Sequence, residues 1–289
     1  MNAKDAQRFH NAYITANKLE LDMLRKENSP KAFIKFYSGK YEQSGVNYFL
    51  NHLEKQNIWL SLPTQFNDPF DCVLNIDFTN DIKRIQKELL IEKLGETEAN
   101  VVLNSPYWKN NMAFLSDFLN TYAQNPHYWG VKSEYVGCFS EPENLYSKIM
   151  WSHYANSHYG VCAEYDFDSV NNISPFGCIP VKYTDNYEVR FDTQSTNEKV
   201  QNFLRLVYCK AEEWQYEREW RVAIQENYSG NKGLSVPFAM PKKIYLGCRI
   251  GHKLKSDIMN LCKGTDIDIF QMKLKPGTFC LETCSCNKF

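Results

Sequence analysis

The sequence predicts an α+β fold: two small, mainly antiparallel sheets with a helical insertion and an N-terminal helix. Short apolar or alternating runs read as strands, among them Phe33-Ile34-Lys35-Phe36-Tyr37 and Trp220-Arg221-Val222-Ala223-Ile224. Stretches with apolar residues at helical spacing interrupt these runs irregularly, which argues against a doubly wound parallel sheet. At 289 residues and 43% hydrophobic content the chain can bury a sizeable core. A charged fraction of 23% keeps it out of the disordered class.

Residues 1–29 read as a polar helical lead-in with weak apolar spacing (Tyr13, Leu19, Leu21, Leu24). It ends at Ser29-Pro30, where proline biases the preceding residue away from helix. Residues 30–289 read as one domain. After the strand at 33–37, Val46, Phe49, Leu50 and Leu53 predict a helix over 44–55, and Asn57-Ile58-Trp59-Leu60 predicts the next strand. A helical insertion is expected at about 80–125. Its first helix, over 81–94, aligns Ile82, Ile85, Leu89 and Leu94 and stops at Gly95. Met112, Leu115, Leu119 and Tyr122 repeat the pattern over 108–123.

Residues 135–139 form a strand, and Pro142 opens a helix at a position that tolerates a missing N–H. Strands follow at 160–165 and at 179–183, the latter an edge because of Pro180. Ser195 and Glu198 make a capping box for a helix that buries Val200, Phe203, Leu204 and Val207. Strands at 243–247 and 267–270 complete the set.

Charge and cysteine usage narrow the function classes. With 33 basic and 34 acidic residues the net charge is −1, so there is no global electrostatic case for nucleic-acid binding. A local basic groove remains open. The polar start, Met1 to Arg8, has no apolar signal core, and no run approaches the roughly 18 apolar residues that span a bilayer. Ten cysteines lie mostly in apolar runs, without Cys-x-x-Cys spacing, and read as small buried hydrophobes in a reducing, cytoplasmic compartment. Cys280, Cys284 and Cys286 at the C-terminus are the exception, with metal binding or cross-linking open to them. Oligomeric state is not legible.

Three segments concentrate the chemistry. Asn67-Asp68-Pro69-Phe70-Asp71 is a turn by composition, and Asn67 or Asp71 could contact a polar ligand. The second segment runs from Phe139-Ser140 through Trp151-Ser152-His153-Tyr154 to His158. If helical, it aligns Ser147, Trp151, Tyr154 and His158 on one face. In Tyr216-Glu217-Arg218-Glu219-Trp220-Arg221, an extended chain would send Glu217, Glu219 and Arg221 to one side. Such an acidic pair at a strand mouth could stabilise developing positive charge in a partly dry cleft.

Taken in order, these motifs resemble a bacterial family known only as domain of unknown function 2971. The carrying residues are Lys35 to Tyr37, Asn67 to Asp71, Cys138 to Ser140, Trp151 to Tyr154, His158 to Cys162, Tyr216 to Arg221 and Ile244 to Gly247. The likeness runs from about residue 33 to 275 and implies a shared site without an activity.

A second resemblance is to ADP-ribosyltransferases, which bind NAD between two small sheets. It implies that Lys35 or Tyr37 holds ribose and phosphates, and that Ser140 supports the site. Glu219 would stabilise the ribosyl oxocarbenium as nicotinamide leaves, and Glu217 would orient the acceptor. Asn67, Asp71, Phe139, Trp151, His153, Tyr154, His158 and Arg221 would line the nucleotide pocket. The expected protein is an NAD-consuming transferase or glycohydrolase, as in toxins and phage-defence effectors, acting on a protein or nucleic-acid acceptor. Two rivals stand beside it. One is a non-catalytic nucleotide-binding module with Trp151, Tyr154 and Trp220 as an aromatic cage. The other is a Mg²⁺-dependent nuclease using Asp68, Asp71 and Glu219.

Overall fold

The computed structural model describes residues 1, 3–72, 87, 90–111, 134–185, 196–226 and 231–286. In chain order these form α1 (Ala3–Ile14), α2 (Lys18–Asn28), β1 (Ala32–Tyr37), α3 (Tyr48–Lys55), β2 (Asn57–Ser61), α4 (Glu96–Asn104) and β3 (Glu134–Ser140). There follow α5 (Lys148–Tyr154), β4 (Val161–Asp166), α6 (Phe167–Asn171), β5 (Ile179–Pro180), β6 (Lys182–Tyr183), α7 (Thr196–Tyr208), β7 (Cys209–Lys210) and β8 (Glu219–Gln225). The chain closes with β9 (Gly233–Pro237), β10 (Lys243–Leu246), α8 (His252–Leu261), β11 (Asp268–Leu274) and β12 (Leu281–Ser285). The class is α+β, as expected, and pairing is mainly antiparallel. Among the described residues, only β10–β11 and β6–β7 run parallel.

The large sheet runs β12-β11-β10-β4-β1-β3-β2-β9, with β8 on β3 and β5 on β8, and a two-stranded sheet joins β6 to β7. Its ladders are uneven. β1 makes six register pairs with β4 but only one with β3, Ile34 with Ser140. β2 likewise touches β3 only at Ser61–Val136, whereas β3 and β8 pair along their full lengths. The sheet is therefore a set of well-paired blocks joined at two weak junctions, and the β1–β3 junction is the seam where a cavity opens.

Residues 1–29 form two helices where one was expected. Ala16 turns the chain with φ +49°, and the Asn17 side chain caps α2 by accepting from Glu20 N. The weak apolar spacing hid how deeply they pack: Phe9, Ala12 and Leu24 are fully buried. Phe9 meets Trp220 edge-on at 5.7 Å, which puts α1 behind β8.

Local chemistry sets the boundaries. α3 starts at Tyr48 because the Asn47 side chain accepts from Phe49 N and Leu50 N; Val46, counted as apolar helix face, is exposed. Pro142 opens a 3-10 segment, Pro142–Tyr146, rather than an α-helix. Gly95 does stop a helical run over 90–94, at φ +81°. The rest of the first insertion helix, Met112 onward in the second, and Ser195 of the capping box lie outside the described residues. β9 and β12 were unforeseen, since both are short, partly exposed edge strands with little apolar signal. Cys280 and Cys284 are exposed beside and within β12, and the described cysteines are all free. Among the described residues no helix is long and apolar enough to cross a membrane.

A buried polar chain lies behind β1. The Tyr37 and Tyr165 hydroxyls are 2.8 Å apart, and Tyr165 Oη is 2.9 Å from His52 Nε2. His52 Nδ1 faces the Asn57 carbonyl, which can only accept. Nδ1 therefore carries the proton, Tyr165 donates to Nε2, and Tyr37 donates to Tyr165. Burial lowers the His52 pKa to about 4. With the unfolded value near 6.5, this neutral histidine contributes stability above pH 6.5 that is lost as pH falls to 4, roughly 3 kcal/mol at most. Across that window, wild-type unfolding midpoints in urea should fall more steeply than those of His52→Gln. Parallel curves would contradict the assignment.

Candidate functional site

The cavity at the seam has a volume of ≈ 190 Å³. Its walls come from β1 (Lys35), the 66–71 loop, β3 (Phe139, Ser140), α5 (Tyr154), β7 (Lys210) and the segment entering β8 (Glu217, Glu219). Because β3 and β8 are fully paired, Ser140 sits opposite Glu219 and Cys138 opposite Arg221. Lys35 bridges the seam: its Nζ donates to the Cys138 carbonyl at 3.0 Å and lies 5.2 Å from the Phe139 ring centroid. Burial holds the Lys35 pKa below its ordinary value.

Beneath the cavity floor Arg221 is wholly buried. Nε and Nη2 donate to Glu219 Oε1 and Oε2 at 2.8 and 2.9 Å. Nη1 and Nη2 donate to Asp71 Oδ1 and Oδ2 at 2.8 and 2.6 Å, and Nη1 also donates to the Val207 carbonyl at 2.7 Å. All five N–H directions of the guanidinium are used, which is what makes a buried arginine tolerable. The Phe66 ring lies 5.4 Å from Arg221 Cζ. The 66–71 loop that delivers Asp71 is an Asx turn, with Asp68 Oδ1 accepting from Phe70 N at 2.9 Å.

Glu217 belongs to no strand, contrary to the extended reading. It ends the 3-10 segment Glu212–Glu217, and Arg218 then turns the chain with φ +44° before β8 begins at Glu219. Asn144 Nδ2 pins this corner by donating to the Tyr216 and Glu217 carbonyls at 3.0 and 2.6 Å. Both glutamates still converge on Lys210, whose Nζ is 2.5 Å from Glu217 Oε2, 3.2 Å from Glu219 Oε2 and 3.4 Å from Asp71 Oδ2. The Tyr154 hydroxyl donates to Glu217 Oε1.

The electrostatics separate the two glutamates. Burial pushes the Glu219 carboxyl up, but Arg221 and Lys210 outweigh it and hold the group well below the usual carboxylate range. Glu217 is raised to about 7, first by burial and then by the charge of Glu219. Lys210 is pushed down by burial, yet its three carboxylate neighbours hold it protonated with a raised pKa. With Glu217 ionised, three carboxylates and two cations leave the cluster one charge negative, and Glu217 is the carboxylate that Arg221 does not grip.

The cavity brings together Lys35, Asn67, Asp71, Phe139, Ser140, Tyr154, Glu217 and Glu219. Five other expected residues lie outside it. Arg221 is beneath the floor, and Tyr37 faces the polar chain described above. Trp151 is buried in a separate core cluster, its Nε1 donating to the Leu145 carbonyl. His153 is exposed, with Nδ1 3.3 Å from the Tyr216 hydroxyl. α5 ends at Tyr154, so His158 is not on its face; it follows a left-handed turn and stacks on Trp151. The aromatic cage fails because Trp151 and Trp220 are both fully buried, in different clusters. The metal reading meets Arg221, whose guanidinium already occupies the space between Asp71 and Glu219.

Lys210 was missed. Its only sequence signal is a lysine directly after the apolar run Leu206 to Cys209, close to the following glutamates. Trp214, whose ring centroid lies 4.8 Å from Lys210 Nζ, and Phe66 were likewise unassigned.

Fold and cavity together define an α+β protein with a charged cavity at the seam of its large sheet. Residues 150–222 match the family described as "Protein of unknown function (DUF2971)". The matched stretch contains Tyr154, Lys210, Glu217, Glu219 and Arg221, whereas Lys35, Asn67, Asp71 and Ser140 lie outside it. No curated protein and no solved structure matches the chain.

Proposed function

We propose that the cavity takes the reacting end of a nucleotide and breaks its N-glycosidic bond, with NAD as the substrate and a ribosyl group as the part transferred. The carrying observation is the split pair on one wall: Glu219 held ionised and Glu217 titrating near neutrality. Two carboxylates whose environments push their pKa values apart suit two roles in one reaction. As the C–N bond breaks, its electron pair leaves with nicotinamide and positive charge develops on the ribose, where Glu219 is the fixed counter-charge. Glu217 then accepts the proton of the incoming water or hydroxyl acceptor. Lys35 and Ser140, which both line the cavity, would hold ribose or phosphate oxygens.

A volume of ≈ 190 Å³ is below the roughly 300–1,000 Å³ of whole-ligand pockets, so only the reacting end fits inside. The test is release of nicotinamide from NAD by the purified protein, followed by chromatography with and without an acceptor extract. Release is the expected result. Absence of any free base from NAD, NADP and the common nucleotides overturns the reading.

A further inference from the structure

Next to the charged cavity, and sharing Lys35, Phe36 and Gln65 with it, is a second, wider groove of ≈ 550 Å³. Strand alternation builds one side. Leu60 of β2 points into the core, while Asn57, Trp59 and Ser61 line the groove together with the buried Ile58. Helix periodicity builds the other. Leu53 of α3 is buried in the core, and Tyr48, Asn51 and Lys55 line the groove together with the buried Phe49 and His52. The loop after β1 contributes Lys40, and Lys232 stands at the entry to β9.

Two properties of this lining are unusual together. It holds four lysines (Lys35, Lys40, Lys55 and Lys232) and no aspartate or glutamate. Among the described residues, none of the four has a carboxylate within 4.0 Å, although ion pairs occur elsewhere on the molecule. The groove is thus a local positive field on a chain of net charge −1. Against it stand two exposed aromatic rings, Trp59 at 41% and Tyr48 at 52% exposure, with centroids 6.3 Å apart. Exposed flat rings beside lysines that have no carboxylate partner among the described residues are what a planar base with an attached phosphate requires.

We propose that this groove is a subsite for a nucleoside phosphate unit, its base stacked on Trp59 and Tyr48 and its phosphates among Lys40, Lys55 and Lys232. As an extension of the same cleft it rests on the ribosyl-transfer reading for what reacts beside it, but its binding is measurable without any reaction. The unit could be a free nucleotide or a terminal nucleotide of a single strand, and both present the same chemistry.

The test titrates the full chain with ADP, with a 5′-phosphorylated single-stranded oligonucleotide and with inorganic pyrophosphate, read by calorimetry and tryptophan fluorescence. ADP or the oligonucleotide should bind saturably, and more weakly as salt rises. Binding should weaken tenfold or more in Trp59→Ala and in Lys55→Ala/Lys232→Ala, all exposed positions. Pyrophosphate should bind with no dependence on Trp59. Tighter ADP binding assigns a free nucleotide, and tighter oligonucleotide binding a strand end. If neither binds, or if neither variant weakens binding, the subsite is wrong. ADP binding without nicotinamide release would sink the ribosyl-transfer reading and leave the subsite standing. Release that is indifferent to both variants would do the reverse.

Discussion

Replacing Arg221 with methionine lowers the unfolding free energy by about 3–5 kcal/mol, the range for stripping one partner from a buried ion pair. The size follows from what is left behind. Asp71 and Glu219 are each gripped by two guanidinium N–H groups, and without them only Lys210 remains to offset three buried carboxylates. Lysine at 221 should not rescue, because one ammonium cannot reproduce two bidentate contacts and a bond to the Val207 carbonyl. Neutralising the partners in Arg221→Met/Asp71→Asn/Glu219→Gln should recover part of the loss. Urea denaturation at neutral pH measures all three variants. A loss under about 1 kcal/mol for Arg221→Met would mean the network is not the structural pin of the site.

Glu217→Gln is the second large effect, and it falls on activity. Removing a general base costs roughly 10²–10⁴-fold in rate, so base release should drop by that order while the protein stays folded. The wild-type rate should rise with pH through about 7, where Glu217 ionises, and the variant should lack that limb. Stability gives an independent check. The folded pKa of Glu217 lies above the unfolded value of 4.5, so its contribution is full below pH 4.5 and is lost as pH rises through 7. Relative to wild type, the variant should therefore look better at pH 8 than at pH 5. A pH–rate profile unchanged by the substitution would remove Glu217 from the chemistry.

The α+β class and most central strands were legible because hydrophobic alternation reports directly on burial. The strands at 33–37, 57–60, 135–139 and 160–165 were all placed within a residue or two of their observed limits. The edge strands β9 and β12 were not, since a half-exposed strand carries half the apolar signal. The site was legible as a set of three segments but not as a geometry. Glu217 and Glu219 look equivalent in the chain, yet a left-handed turn at Arg218, with no glycine to announce it, puts one on a corner and the other on a strand. Arg221 looked like a ligand contact and is a buried anchor. The histidines were conspicuous by residue type alone, and only tertiary packing could show His153 exposed beside Tyr216 and His158 against Trp151. Lys210 was invisible because its importance depends on three acids drawn from two distant parts of the chain.

The seam between β1 and β3 also bears on how the protein reaches this structure. Lys35 finds Cys138 across 103 positions and Asp71 finds Arg221 across 150, so the cavity closes only when distant parts of the chain meet. Folding rates fall as such distant contacts come to dominate. The seam is therefore expected to form late in folding, after the local ladders on either side of it.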